Sequence, residues 1–314
     1  MIYKICEKSP SHDLLNDFYS EFVKYSNTDS KRLGIVLTPH HIVQLMIKLL
    51  DVGEDDIFLD LCSGTGSFPL EALKYNPKKI IACEYQNKLY TLLKCNMILR
   101  DLDLVENDII KGDCFDNKFK ATKSAINPPY GMKDKKELDF ILKQLESIDG
   151  LACAIIPCSK LTKSKIRNKL FSVCKILKII ICNNKLFYPT ASVKTCIILI
   201  KKEEHKLKEQ KIMCMNFEND GFVMKRGSGR VKKLEPSITE EEIIITPNDE
   251  TWISYSIESH INKGELILRM LELEAVNKKL VLKNQKQQEL EDTVYKDFLI
   301  QDLFAITKKT IKKI

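Results

Sequence analysis

A short motif at residues 127–130, Asn-Pro-Pro-Tyr, is the part of this 314-residue sequence that most directly indicates a reaction. Each proline restricts its own φ and the residue before it, so the Asn127 side-chain oxygen and a neighbouring backbone carbonyl are held in one direction. Two convergent acceptors can bind both hydrogens of an amino group on a planar ring, which frees the nitrogen lone pair to attack an electrophilic methyl group. Tyr130 adds a flat face on which that ring can stack. Asn-Pro and Pro-Pro are also common in loops, so a plain turn is the alternative.

A glycine turn lies upstream of this motif, between an apolar strand that starts at Ile57 and a predicted helix. Gly64 and Gly66 allow the backbone to bend sharply and to approach a ligand, as in nucleotide-binding strand-turn-helix units. The third glycine of a dinucleotide fingerprint is missing, which disfavours a phosphate site.

Four successive predicted strands end in a polar residue. These residues are Asp60, Glu84, Asp113 and Asn127. Open α/β sheets bind ligands at the carboxyl edge of their parallel strands, and an acid about twenty residues after a glycine turn typically binds a ribose hydroxyl pair. One such residue alone indicates little, but four in register predict a ligand site at this edge.

In this order the motifs resemble those of the amino-group (N6-adenine) DNA methyltransferases that use S-adenosylmethionine. The resemblance is closer to the methylase subunits of Type I restriction-modification systems and to their fused Type II relatives, and it covers roughly residues 34–202. It implies an α/β fold, a doubly wound Rossmann-like methyltransferase sheet, here with an N-terminal helical arm and a C-terminal helical extension.

The resemblance also implies a set of cofactor contacts. Residues 37–46 are similar to the segment that closes over the methionine end of the cofactor, and the glycine turn is similar to the cofactor turn, although Leu61 stands where proline is usual. Glu84 matches the residue that holds the ribose, and Asp113 the one that holds the adenine amine. The cofactor-binding residues so implied are Thr38, Asp60, Cys62, Gly64, Gly66, Glu84, Asp113, Cys114 and Asn127.

The implied reaction is direct methyl transfer to the N6 atom of a flipped adenine, without a catalytic cysteine. Residues 150–161 resemble the fifth strand of these enzymes, and residues 184–196 resemble a late motif whose aromatic packs the flipped base. That aromatic is Phe187, which would stack the base together with Tyr130. The implied catalytic residues are Asn127, Pro128, Pro129 and Tyr130.

Composition narrows the class of protein further. The eleven cysteines are scattered through apolar runs without a CxxC pair, which indicates reduced thiols and a reducing compartment. The five histidines have no metal-ligand spacing, so no metal site is expected. The first residues lack a signal-peptide core, and no run reaches eighteen apolar residues, so a cytoplasmic protein without a membrane span is predicted.

A positive charge excess, formally +7, is compatible with a polyanionic partner. The most concentrated cations lie at residues 224–233 around a glycine-serine turn, and they predict either contacts to a DNA backbone or a solvated hairpin tip. The predicted DNA contacts are Lys225, Arg226, Arg230, Lys232 and Lys233.

The chain divides into four predicted parts. They are a helical arm at 1–33, the catalytic domain at 34–205, a β-rich extension with the basic turn at 206–255, and a C-terminal helix with a truncated recognition-like tail at 256–314. Asn219-Asp220-Gly221 is a β-hairpin signal inside the extension.

Partners follow from the last part of the chain. Residues 264–291 carry a narrow apolar stripe at coiled-coil spacing, which indicates packing against one neighbour. That neighbour is either the chain's own body or a partner. The predicted partners are double-stranded DNA and, through this stripe, a specificity subunit, a missing C-terminal recognition domain or a second copy.

The predicted function is therefore site-specific methylation of adenine in DNA, as the modification component of a restriction-modification system. Two alternatives stay open. Glutamine methyltransferases of release factors share the Asn-Pro-Pro-Tyr motif, but they carry a substrate domain before the fold and only a short remainder after the motif. The other alternative is a catalytically idle DNA-binding or assembly scaffold.

Overall fold

The computed structural model describes residues 36–98, 108–188, 191–203, 209–225 and 229–245. Its strands are β1 (Ile57–Asp60), β2 (Lys79–Glu84), β3 (Asp108–Lys111), β4 (Ala121–Ile126), β5 (Ile148–Pro157), β6 (Cys174–Cys182), β7 (Thr195–Lys202), β8 (Gln210–Asn219), β9 (Phe222–Lys225), β10 (Gly229–Lys232) and β11 (Ser237–Ile245). Its helices are α1 (His40–Leu50), α2 (Ser67–Leu73), α3 (Asn87–Ile98), α4 (Glu137–Glu146), α5 (Cys158–Leu161) and α6 (Ser164–Phe171). Within these ranges, no helix is both long and apolar enough to cross a membrane.

Nine strands form one sheet in the order β11-β8-β6-β7-β5-β4-β1-β2-β3, and β9 and β10 form a separate pair. Strands β1 to β5 pair in parallel with their neighbours among themselves. Strand β7 runs antiparallel to both β5 and β6. The chain leaves β1 towards β2 and β3 on one side and returns to β4 and β5 on the other, so the strand order reverses beside β1. The predicted doubly wound α/β sheet is confirmed.

Helices cover both faces of this sheet, because successive strand residues point to opposite sides. Phe58 belongs to the core under α1 and α2, while the adjacent Leu59 belongs to the core under α4 and α6. A third, smaller cluster joins α3 to β2. Burial on both faces explains why the central strands are nearly continuous apolar runs rather than alternating ones.

Helix α1 shows how sequence pattern positions the residues before the glycine turn. Its buried side chains recur on one face and are Ile42, Val43, Met46, Ile47 and Leu50. Pro39 precedes the helix, and its carbonyl accepts the first backbone hydrogen bonds, from Ile42 and Val43. The helix therefore starts at a defined point next to Thr38.

The β-rich extension continues the main sheet beyond residue 205. Strand β8 pairs in parallel with β6, and β11 pairs antiparallel with β8. The division into domains at this point stays a prediction.

The hairpin predicted at Asn219-Asp220-Gly221 is wrong in its pairing. These residues connect β8 to β9, but β8 pairs with β11 while β9 pairs with β10. The Asp220 side chain accepts a hydrogen bond from the Phe222 backbone at 3.2 Å, and Gly221 has φ +81°. This local turn directs the chain away from β8, so the hairpin forms one strand later.

All described residues belong to one compact unit, Met1–Ile261, and the second unit, Asn262–Ile314, is outside them. The predicted arm at 1–33, the apolar stripe at 264–291 and the recognition-like tail also lie outside the described residues.

Replacing Gly66 by alanine should lower the free energy of unfolding by about 1–3 kcal/mol. The backbone has φ +97° at this position, and an added Cβ would lie 2.7 Å from Leu93 Cδ1 and 2.8 Å from Met97 Cε. Urea denaturation measures the change. Gly53→Ala is the matched control, because its Cβ would meet nothing within 4 Å. Equal losses in the two variants would contradict the packing argument.

Candidate active site

The glycine turn and the ends of β2 and β3 meet at the carboxyl edge of the sheet. The Gly64 backbone N–H donates to Glu84 Oε2 at 2.8 Å, and the Ser63 N–H donates to the Cys83 carbonyl at 3.0 Å. The Gly112 N–H donates to the Glu84 carbonyl at 3.1 Å, which joins β3 to the same group. The glycine turn after β1 and the ends of β2 and β3 are thus brought together.

Glycine occurs at positions 64 and 66 of the turn for different structural reasons. Gly64 has φ +57°, and a Cβ added there would meet no atom within 4 Å. This position leaves open space beside the backbone, where a ligand can approach closely. Gly66 instead packs its bare Cα against Leu93 and Met97 of α3.

Glu84 is a buried carboxylate that ties the turn to β2. Its Oε1 accepts from the Gln86 backbone at 2.7 Å, while its Oε2 accepts from Gly64. Burial raises the pKa of Glu84 against the opposing effect of these backbone donors. The next residue, Tyr85, is 72% exposed and lines a hollow together with Gln86, Asn87 and Lys88. Sequence reasoning did not single out Tyr85, although its place directly after the strand-end acid was a usable signal.

Asp60 is fully buried at the end of β1. Its Oδ1 accepts from the Cys62 backbone at 3.0 Å, whereas its Oδ2 has no hydrogen-bond partner among the described residues. Burial raises the pKa of Asp60 to about 8, and repulsion from Glu84 acts in the same direction. A ligand that brings positive charge to this edge would favour the carboxylate form.

The predicted cysteine contacts also lie at this edge. The hydrogen bond with Cys114 raises the pKa of the Cys62 thiol well above its usual value, and burial adds to the effect. Cys114 is buried and follows Asp113, whose Oδ1 accepts from the Phe115 backbone at 2.9 Å. The Cys62 thiol therefore stays protonated at neutral pH, so it can line a ligand cleft without acting as a nucleophile.

Asn127 contacts the segment before the glycine turn. Its Nδ2 donates to the Thr38 hydroxyl at 3.0 Å, and Thr38 is buried. This bond engages the amide nitrogen, and no bond to Asn127 Oδ1 is present among the described residues, so that oxygen can accept from a ligand. The sequence predicted Thr38 only as a cofactor contact, and its contact with Asn127 was missed.

Tyr130 and Phe187, the two predicted stacking residues, contact each other. Their ring centroids lie 6.4 Å apart in an edge-to-face arrangement with an interplanar angle of 81°. The Tyr130 hydroxyl donates to the Ile155 carbonyl of β5 at 3.1 Å. Burial raises the pKa of Tyr130 well above its usual value, so the hydroxyl stays neutral and keeps this bond. The ring orientation is therefore fixed from two sides.

A buried ion pair anchors the chain just after the Asn-Pro-Pro-Tyr motif. Glu137 Oε1 accepts from the Gly131 backbone at 3.1 Å, and Lys160 Nζ lies 2.9 Å from Glu137 Oε2. Burial by itself would raise the pKa of Glu137, but the hydrogen bond and charge of Lys160 hold that pKa below its usual value. The motif is thus held on both sides, by Thr38 before it and by Glu137 after it. Nothing in residue spacing pointed to this pair.

The basic cluster is a hairpin made of β9 and β10. Lys225, Lys232 and Lys233 are exposed, and Arg226 lies outside the described residues. Arg230 differs from them, because its Nη2 lies 2.5 and 2.6 Å from the two carboxylate oxygens of Asp220. Its guanidinium therefore points into the protein rather than towards solvent.

Most of the chain matches a known family. Residues 10–148 and 133–244 match the family described as N-6 DNA Methylase. The Type II restriction enzyme and methyltransferase RM.BcgI of Heyndrickxia coagulans is 32% identical over 251 residues, which cover 70% of this chain and 39% of that protein. The Type I restriction enzyme MjaVIII methylase subunit of Methanocaldococcus jannaschii is 24% identical over 254 residues, which cover 67% of this chain and 44% of that protein.

A solved structure agrees on the fold. It is that of the type I restriction-modification system methyltransferase subunit from Streptococcus thermophilus, with 20% identity and a TM-score of 0.54 over 63% of this chain and 50% of that one. This chain spans less than half the length of the two curated relatives, at 39% and 44%.

The Asp60 carboxyl predicts a stability that depends on pH. Its pKa is about 8 in the folded protein against an ordinary 3.8, so its contribution is complete below about pH 4 and is lost as pH rises through 8. Asp60→Asn removes this loss. One pKa unit corresponds to about 1.4 kcal/mol. Between pH 5 and pH 8, the free energy of unfolding of the wild type should therefore fall by more than about 1 kcal/mol relative to that of the variant. Denaturant titrations at both pH values measure this.

Asp55→Asn serves as the control for this titration, because Asp55 is exposed. Its stability should follow that of the wild type at both pH values. Parallel pH curves for Asp60→Asn and the wild type would show that Asp60 does not carry the effect.

Proposed function

Because the chain belongs to the N-6 DNA methylase family, we propose that it transfers a methyl group from S-adenosylmethionine to the N6 atom of adenine in double-stranded DNA. The observation that carries the proposal is the orientation of the Asn127 amide. Thr38 binds its nitrogen, so its oxygen is the atom that meets a ligand. An amine that donates both hydrogens to fixed acceptors fits this arrangement.

The chemistry of the donors at the sheet edge fits the cofactor. When bound, S-adenosylmethionine supplies an electrophilic methyl group on a positively charged sulfur. The open face beside Gly64 admits a ligand against the backbone. The buried carboxyls of Asp60 and Glu84 lie where a positively charged sulfonium would favour their ionised form. Tyr85 beside Glu84 offers an exposed ring for the adenosine part.

The other predicted cofactor residues complete the site. Thr38 closes the cleft from the segment before α1, and Asp113 and Cys114 line it from the end of β3. Cys62 and Gly66 keep the turn against α3 and β3. Cys62 and Gly66 follow β1, and Asp113 and Cys114 follow β3, at the carboxyl edge of the parallel strands, where open α/β sheets bind ligands.

Catalysis depends on the acceptors that the motif presents. Asn127 Oδ1 and the Pro128 carbonyl accept the two hydrogens of the adenine amine, and Pro129 limits the backbone freedom of that carbonyl. Because both hydrogens are held, the nitrogen lone pair leaves conjugation with the ring and becomes the nucleophile. Positioning supplies most of the rate, since no covalent enzyme intermediate is needed.

The aromatic pair holds the base in place. Flipping a base out of the duplex costs a few kcal/mol, and stacking on an aromatic ring returns about 1–3 kcal/mol. Tyr130 supplies that ring, fixed by its bond to Ile155, and Phe187 packs edge-on beside it. The two rings thus form one corner of the base pocket.

DNA is held by cations that specify no sequence. Lys225, Lys232 and Lys233 on the β9–β10 hairpin contact backbone phosphates, together with Arg226. Arg230 orients the hairpin through Asp220 instead of touching phosphate. Base readout comes from a specificity subunit, a C-terminal recognition domain or a second copy that docks on residues 264–291. The relatives named above act in restriction systems, and this chain accordingly serves as a modification component.

A methyl-transfer assay tests the function against its alternatives. The chain and radiolabelled S-adenosylmethionine are offered unmethylated duplex DNA, RNA or a release factor. Label should enter duplex DNA, and digestion of that DNA to nucleosides should release N6-methyl-2′-deoxyadenosine. Label in the release factor would instead identify a glutamine methyltransferase, and the absence of both methyl transfer and S-adenosylmethionine binding would indicate a scaffold.

Asn127→Ala should abolish methylation by removing one of the two acceptors and the bond to Thr38. We expect the rate to fall at least about 100-fold, while the dissociation constant for the cofactor, measured by calorimetry, changes little. Asn168→Ala is the control, because that amide is exposed on α6 and is not among the predicted site residues. A parallel loss of methylation and cofactor binding in Asn127→Ala would indicate misfolding rather than a catalytic role.

A further inference from the structure

Asp220 is the centre of a buried polar cluster outside the site described above. Its carboxylate is 1% exposed and accepts from His41 Nε2 at 3.1 Å and from Arg230 Nη2 at 2.5 and 2.6 Å. Burial would raise the pKa of Asp220, but the hydrogen bonds with His41 and Arg230 hold that pKa below its usual value. The carboxylate is thus charged and fully engaged.

Phe222 packs against both side chains that bind Asp220. Its ring stacks on the His41 ring with centroids 4.6 Å apart and an interplanar angle of 21°. The Arg230 guanidinium lies 5.4 Å from the same ring centre. Three separate segments, α1, the β8–β9 turn and β10, therefore meet in one rigid arrangement.

Each arm of the cluster continues to a wall of the proposed base pocket. His41 lies three residues after Thr38, whose hydroxyl binds the Asn127 amide. Arg230 Nη1 donates to the Leu186 carbonyl at 3.4 Å, directly before Phe187. One carboxylate is therefore linked to the catalytic amide on one side and to the stacking aromatic on the other.

A second contact supports the link to the aromatic wall. Asn183 Nδ2, at the start of the loop that carries Phe187, donates to the Glu218 carbonyl at 2.6 Å. Glu218 lies two residues before Asp220 at the end of β8. The loop from 183 to 188 is thus attached to the end of β8 at one point and to β10 at another.

We propose that Asp220, acting through His41 and Arg230, is a positioning residue for methyl transfer. It sets the distance between the Thr38–Asn127 wall and the Phe187 wall of the pocket, and it joins both walls to the hairpin that carries Lys225 and Lys232. The inference rests on the proposed function for its catalytic consequence, but the attachment of the two walls does not depend on it.

The buried charge itself argues for positioning. A buried ion pair is often no more stabilising than apolar residues of the same volume, because the desolvation of its charges offsets their attraction. Its fork of short bonds does, however, define one geometry. Asp220 therefore contributes a defined geometry more than stability, which suits a position that must keep the two pocket walls at a fixed distance.

The test compares Asp220→Asn with a variant that weakens the same strands elsewhere. Gln210 lies at the opposite end of β8, where its side chain accepts from the Ile176 backbone at 2.5 Å and donates to the Cys174 carbonyl at 3.0 Å. Gln210→Ala should therefore destabilise the β6–β8 pair without reaching the pocket. Both variants are assayed with saturating S-adenosylmethionine and unmethylated duplex DNA, and in the free state by hydrogen–deuterium exchange.

For Asp220→Asn we expect kcat to fall about tenfold or more, with the cofactor dissociation constant within threefold of the wild type. Backbone amides at 36–41 and 183–188 should exchange faster. Gln210→Ala should lose stability at unchanged kcat, and its faster exchange should be confined to residues near 174–176. His41→Gln should reproduce part of the Asp220→Asn effect and add little to it in the double variant.

The positioning role is overturned if kcat follows only the folded fraction in both variants, or if exchange at 183–188 does not change. A wild-type chain that neither binds S-adenosylmethionine nor methylates DNA would refute the proposed function instead. In that case the exchange data alone decide the attachment, since they need no substrate. Faster exchange at 36–41 and 183–188 in Asp220→Asn then supports the attachment of the two walls, and unchanged exchange refutes it.

Discussion

The parallel pairing of β1 with both β2 and β4 is the constraint on which the site depends. Parallel strands have the same direction, so their last residues all leave the sheet at one edge, and the reversal of strand order beside β1 opens a crevice there. Inside the sheet every backbone group is used by a neighbouring strand. Side chains that must meet a ligand are therefore found at the strand ends, where Asp60, Glu84 and Asn127 stand.

Two buried carboxyls make that edge electrostatically unusual. Glu84 obtains backbone donors from Gly64 and Gln86, whereas Asp60 obtains one from Cys62 and leaves an oxygen without a partner in the described part of the chain. Burial therefore dominates at Asp60 and raises its pKa to about 8. This arrangement lowers the stability of the free protein at neutral pH. It becomes favourable when a cation binds, which is the usual relation between a strained binding site and its ligand.

Local pattern predicted the parts of the site that adjacent residues specify. The polar strand ends and the sharp turn at Gly64 and Gly66 follow from short stretches with clear physical roles. The place of Phe187 beside Tyr130 was predicted only from the family resemblance. The cluster around Asp220 could not be predicted in this way, because His41 and Asp220 are 179 residues apart. The Asn219-Asp220-Gly221 sequence led to a wrong hairpin prediction, because its turn propensity gives no sign of the buried role of Asp220. Contacts between residues so far apart in the sequence depend on how the whole sheet is assembled, and a single sequence carries no spacing signal for them.

The bond between Asn127 and Thr38 gives the pocket its direction. An amide has an acceptor end and a donor end that differ little in shape, so a neighbouring group must determine which end faces a ligand. The Thr38 hydroxyl determines the orientation of the Asn127 amide by accepting a hydrogen bond from its nitrogen. Thr38 in turn is placed by the start of α1, which Pro39 defines and which His41 attaches to Asp220. The Asn127 oxygen is therefore oriented by a chain of contacts that begins at the hairpin and ends at the motif, and each link is a hydrogen bond or a short backbone segment.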